Sequence, residues 1–185
     1  MIEEVRTETR KKMDHTIEML KRDLSAVRTG RANPGLLNPV MVNYYGTQTP
    51  LNQVANIATP DPQLLTVTPY DKSIVKDVEK AIAASDLGIN PQVDGTLIRV
   101  PIPALTEERR KELVKHVHKM GEDGKIALRN IRRDANEKLK KLEKDKKVSQ
   151  DDERRAQEQI QHETDGHTKK IDEIIKSKEK ELMTV

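Results

Sequence analysis

Five histidines and one glycine-rich pentad are the first candidates for chemistry in this chain, and their spacing argues against each. His116 and His118 stand two apart, so on a helix they diverge; His162 and His167 stand five apart, and His15 is isolated. The stretch Gly121-Glu-Asp-Gly124-Lys125 has the flavour of a phosphate loop. It is two residues short, is followed by Ile126, and sits inside a helical pattern. With no cysteine there is no thiol catalysis and no disulfide, and zinc has only weak ligands to choose from. The expectation is a protein without catalytic residues, metal, cofactor or small-molecule substrate, one that draws any energy it needs from a partner.

Charge is the more informative signal. The net charge is +3, unevenly spread: residues 32–105 carry 4 basic and 6 acidic side chains, and residues 109–147 carry 15 and 7. Turning 100° per residue, Lys111, Lys125, Arg129, Arg132, Arg133 and Lys140 fall on one side of this segment, and Glu112, Asp123, Asp134 and Glu137 on another. Cations that repeat by threes and fours along one face can follow a phosphate backbone, and guanidinium forks at 129, 132 and 133 suit phosphate better than ammonium does. Aromatics make up 2% of the chain and none lies in its helical parts, so contacts to phosphate and sugar of structured RNA fit better than stacking on single strands. A solvated helix face is the plain alternative. An adaptor that binds protein helices and a general RNA chaperone are the rival functions.

The elements that must position these residues follow from proline. All nine prolines lie between Pro34 and Pro103, and each would cost a helix interior roughly 3 kcal/mol, so the flanks are free to be long helices and the middle is not. The first flank predicts a helix from about Ile2 to Val27, with Gly30 ending it. A second helix begins after Thr106, a good N-cap, and runs to about Lys147, with Leu113, Val117, Met120, Gly124, Ala127, Ile131, Ala135, Leu139 and Leu142 as one apolar stripe. A third follows Ser149, with Ala156, Ile160, Thr164, His167, Ile171, Ile174 and Leu182 on one side. Gly124 reads as a point of close packing, whereas Gly121 and Gly166 have no evident role. Three amphipathic helices imply a bundle. No apolar run is long enough for a membrane span and the start lacks a signal peptide, so a cytoplasmic protein is expected.

In the middle, Val40–Tyr45, Leu64–Thr68 and Leu97–Ile102 read as strands, and the run from Ile74 to Ile82 as a helix closed by Gly88. The fold class is therefore α+β: a long three-helix bundle (1–30 and 105–185) with a small β/α/β sandwich inserted (31–104). The insert leaves and re-enters the body through Thr29, Gly30 and Arg31 and through Pro103, Ala104 and Leu105. These connections read equally as a hinge and as a rigid junction with Gly30 as a plain C-cap.

Five blocks carry a resemblance to a known family: Val27 to Pro34 (VRTGRANP), Tyr44 to Thr47 (YYGT), Ala84 to Pro91 (ASDLGINP), Pro103 to Lys111 (PALTEERRK) and Arg129 to Ala135 (RNIRRDA). Together and in this order they resemble bacterial ribosome recycling factor along essentially the whole chain. The resemblance implies an L-shaped monomer and a hinge. It also implies binding to the large ribosomal subunit after termination, with elongation factor G and GTP hydrolysis helping to separate the subunits and free messenger and transfer RNA. For ribosomal RNA contact it implies Arg132 first, then Arg129 and Arg133, with Arg28, Arg31 and Arg110 near the hinge; Lys125 joins them from the charge pattern alone.

Overall fold

A computed structural model describes residues 1–184. In chain order its elements are α1 (Ile2–Ser25), β1 (Met41–Tyr44), β2 (Thr47–Pro50), the single turn α2 (Leu51–Val54), β3 (Ala55–Asp61), β4 (Leu64–Pro69), α3 (Val75–Ala83), β5 (Gln92–Asp94), β6 (Leu97–Pro101), α4 (Glu107–Lys144) and α5 (Gln150–Met183). The chain gathers into two compact units, Met1–Leu24 with Val114–Lys180, and Ser25–Leu113 with the residues from Glu181 onward. No helix among the described residues is long and apolar enough to cross a membrane.

The first unit is made of helices. Asp14 meets His167 and Arg10 meets Glu163, so α1 and α5 run parallel; Lys138 meets Glu8, and Gly124 lies beside Leu20, so α4 runs against α1. Met13, Ile17 and Leu20 of α1, Val117, Leu128 and Leu139 of α4, and Ile160 and Ile171 of α5 are buried together in its interior. The expected stripe on α4 is partly corrected. Gly121 and Leu128 are buried, while Met120, Ala127, Ile131 and Leu142 are only partly so. A seam shared with two neighbours follows the 3.5-residue heptad, 117, 121, 124, 128, 131, 135, and drifts away from a fixed 100° step.

Glycine decides how closely α4 and α5 approach. A Cβ on Gly121 would lie 2.7 Å from Ile175 Cγ1, and one on Gly124 would lie 3.2 Å from Ile171 Cδ1. Gly121, which the sequence leaves unexplained, is thus the tighter of the two contacts. The helix ends have local causes. Thr106 Oγ1 accepts from Arg109 N–H at 3.2 Å and Ser149 Oγ from Asp152 N–H at 3.1 Å, which satisfies first-turn donors. α4 stops at Lys144, short of Lys147, because Lys146 turns to φ +55 and Lys147 N–H reaches back to Leu142 O at 2.9 Å.

The second unit holds two antiparallel sheets, the hairpin β1-β2 and a four-stranded sheet ordered β3-β4-β6-β5. Leu65 pairs with Val100 and Val67 with Ile98, and all four side chains are buried in a core that includes Val75, Val78 and Ile82 of α3. Strands β2, β3 and β5 are absent from the sequence expectation. Each lies at a sheet edge, where little burial is required and proline is tolerated, so Thr-Gln-Thr-Pro and Ala-Asn-Ile-Ala-Thr-Pro-Asp carry no strong alternation. Gly88 does not close α3: the helix ends at Ala83, and the Ser85 hydroxyl donates to Ile82 O in the turn that follows.

Candidate nucleic-acid interface

The cations singled out on α4 differ in what surrounds them, because α5 supplies partners that no helical wheel includes. Lys125 is half-buried, with Nζ 2.6 Å from Asp172 and 3.4 Å from Glu122. The Asp172 carboxylate, with some help from Glu122, holds the Lys125 ammonium above the ordinary lysine range. Its charge is already balanced within the unit. Arg132 is half-buried and donates from Nη1 to Gln161 Oε1 at 3.0 Å, a neutral partner that fixes the side chain without cancelling its charge. Arg133 is exposed, with only a loose approach of Nε to Asp134 at 3.9 Å. Arg129 is exposed and has no side-chain partner among the described residues.

Other arginines show what a committed guanidinium looks like here. Arg10 and Arg6 both donate to Glu163 Oε1, at 2.7 and 3.1 Å, and Arg6 also reaches Glu3 at 2.8 Å. Burial alone would raise the Glu163 carboxyl, but the two arginines outweigh it and hold it below the ordinary range. These arginines tie α1 to α5. Arg129 and Arg132 instead have no carboxylate partner among the described residues, and Arg133 has only the 3.9 Å approach to Asp134, so positive charge is concentrated on this part of α4.

The remaining predicted site residues lie in the second unit. Arg110 is half-buried in the first turn of α4, and its Nε is buried without a hydrogen-bond partner. Arg28 is half-buried with Nη1 close to Gly88, and Arg31 is exposed, donating from Nη2 to Thr184 O at 3.4 Å. The two connections touch: Gly30 adopts φ +75, and a Cβ there would meet Leu105 Cγ at 3.4 Å. Thr29 and Gly30 are buried, Leu105 is half-buried, and Pro103 and Ala104 are exposed.

No group of three or more metal-ligating side chains gathers among the described residues. Two of the five histidines meet carboxylates instead. His167 Nε2 lies 2.8 Å from Asp14, and His118 Nε2 lies 3.1 Å from Glu179, so each bridges two helices. Sequence reasoning missed all of these interhelical pairs, since no spacing rule joins Asp14 to His167 or Lys125 to Asp172.

Comparison with known proteins adds to this geometry. The family model for ribosome recycling factor matches residues 20–183. The ribosome-recycling factors of Legionella pneumophila (strain Corby) and Syntrophomonas wolfei are 56% and 54% identical over 185 residues, with 100% of each chain covered. A solution structure of ribosome recycling factor superposes with TM-score 0.81 at 37% identity, covering 100% of this chain and 98% of that one. A second structure, of T. thermophilus ribosome recycling factor with E. coli elongation factor G on the E. coli post-termination complex, gives TM-score 0.71 at 46% identity and 99% coverage of both.

Proposed function

The chain belongs to the ribosome recycling factor family, and from that premise we propose that it lands on large-subunit ribosomal RNA through Arg132, Arg129 and Arg133. Its role in ribosome recycling is that of a translation factor, not an enzyme. The observation that carries the docking assignment is the trio of guanidinium groups without close carboxylates on α4, beside a Lys125 whose charge Asp172 already meets. Arg110, Arg28 and Arg31 form a second contact group, and Lys125 contributes less. The adaptor alternative loses its surface, because Val117, Leu128, Ala135 and Leu139 are buried inside the unit.

The relative seen with elongation factor G on a post-termination complex supports the same partner here. The factor works in the cytoplasm, on ribosomes that still hold messenger and deacylated transfer RNA, and the translocating GTPase supplies the energy for subunit separation. The inserted domain swings on Thr29, Gly30, Arg31, Pro103, Ala104 and Leu105, where the two connections lie against each other and Gly30 holds a conformation few other residues adopt.

Salt-dependent binding to purified large subunits tests the docking. Arg132→Ala is expected to weaken binding and reduce the slope of log affinity against log salt by about one unit for each phosphate no longer neutralised. Equal binding by parent and variant at every salt concentration would remove the arginines from the interface. A second assay addresses the swing: a disulfide engineered between insert and bundle should leave binding intact and abolish subunit splitting with elongation factor G and GTP. If the locked protein splits subunits at the parent rate, no swing takes part.

A further inference from the structure

All three aromatic residues of the chain converge on one surface of the second unit. Tyr44 and Tyr70, with Thr49, Gln53, Val54 and Asp71, line a pocket of about 200 Å³. Tyr45 touches two of these residues, with its ring edge-on to Tyr44 at a centroid distance of 4.7 Å and its hydroxyl donating to Asp71 Oδ2 at 2.9 Å. Core formation accounts for Tyr44, which packs against the apolar cluster, but not for the other two: Tyr45 is 76% exposed and Tyr70 is 70% exposed. Nor does turn chemistry. Tyr45 and Gly46 form the two-residue β1-β2 turn with φ +49 and +83, and the first of these positions favours Asn, Asp or Gly over a bulky ring. A tyrosine held in a disfavoured conformation, beside two others at an open pocket, points to recognition.

We propose that this pocket receives a cationic side chain, arginine above all, from a basic protein segment. Exposed tyrosine faces attract a cation, and a planar guanidinium can stack on a ring while one of its N–H groups meets a carboxylate oxygen. Asp71 is that carboxylate. Its Oδ1 accepts from Ser73 N–H at 2.9 Å and Ser73 Oγ at 2.7 Å, and its Oδ2 from Tyr45, so the group is fixed in place with one lone pair left, on Oδ2. These bonds, those from Ser73 first, hold the carboxyl below its ordinary range and keep it ionised. The surrounding segment 32–105, with 4 basic and 6 acidic residues, repels phosphate, so a nucleic acid is the wrong occupant. The volume suits one side chain rather than a docked helix. The inference stands apart from where the α4 arginines dock.

Titration of the isotopically labelled full chain, followed by backbone amide shifts, tests it with three probes: acetyl-Gly-Arg-Gly-Arg-Gly amide, the same peptide with citrulline for arginine, and a uridine oligonucleotide. The arginine peptide should move the amides of Tyr44, Val54, Tyr70 and Asp71 saturably, and the uncharged citrulline peptide should bind them several-fold more weakly. Tyr70→Ala should weaken the arginine peptide roughly two- to fivefold, with Tyr70→Phe retaining it. Asp71→Asn, which preserves the cap to Ser73, should weaken it as well. Three results would overturn the proposal: no saturable shift at these amides, equal binding of the citrulline peptide, or tighter binding of the oligonucleotide at the same residues. Arginine-peptide binding unchanged in Tyr70→Ala or in Asp71→Asn would do the same.

Discussion

The two units reach stability by different routes. In the second, buried residues from Leu36 to Ile102 form one continuous apolar cluster of sheet and helix, and the ion pair Arg99–Asp94 is a loose surface contact at 3.6 Å. In the first, the interior is a thin seam between rods, and charged pairs flank it along its length, Arg6 and Arg10 with Glu163, Lys138 with Glu8, and Lys125 with Asp172, together with the hydrogen bond between His167 and Asp14. Long rods offer much surface and little interior, so close approach at glycine and pairing between helices take over part of what a globular core does alone. The same geometry explains the candidate interface, since a rod that uses some of its cations for pairing displays the rest.

This contrast is most exposed at the tightest helix contact. Gly121→Val should lower stability by roughly 2–3 kcal/mol, because the added side chain must displace Ile175, whose Cγ1 lies 2.7 Å from the new Cβ. Gly166→Ala, where a Cβ meets nothing within 4 Å, should instead raise it by about 1 kcal/mol through helix propensity. Urea unfolding of both variants separates the cases by midpoint at constant slope. Two shifts of the same sign would show that approach distance is not what sets the cost of a side chain in this bundle.

The smaller effect is acid. Hydrogen bonds from Lys12 and Lys138 pull Glu8 from its ordinary value of 4.5 down to about 2. A folded-state pKa below the unfolded one means the contribution is fully present above about pH 4.5 and is lost as the pH falls toward 2. Hydrogen exchange in α1 should therefore speed up across that window more than exchange in β4, and Glu8→Gln should lessen the change. If α1 and β4 respond alike in parent and variant, the interhelical pairs do not distinguish the units.

Much of the architecture was legible because it depends on local rules. Proline confinement separates the helical flanks from the insert, and Thr106 and Ser149 cap the helices expected to begin after them. Strands β4 and β6 announce themselves by burial alternation, whereas the edge strands β2, β3 and β5 do not, since little selects apolar residues there. The candidate site was legible in part. Sign segregation on α4 marks Arg129, Arg132 and Arg133, but it also marks Lys125, whose closest carboxylate is Asp172, 47 positions further along the chain.

By itself the sequence determined what neighbours in the chain decide: where helices are permitted, how charge is distributed around one of them, and which residue types are missing. Folding in three dimensions settled which glycine lies at the tightest contact, which cations find carboxylates on another helix, and that Tyr44, Tyr45 and Tyr70 share one surface with Asp71. The reason is physical. Propensity and periodicity act within a few residues, whereas steric contact, ion pairing and pocket formation depend on groups far apart in the chain that folding alone brings within a few ångströms.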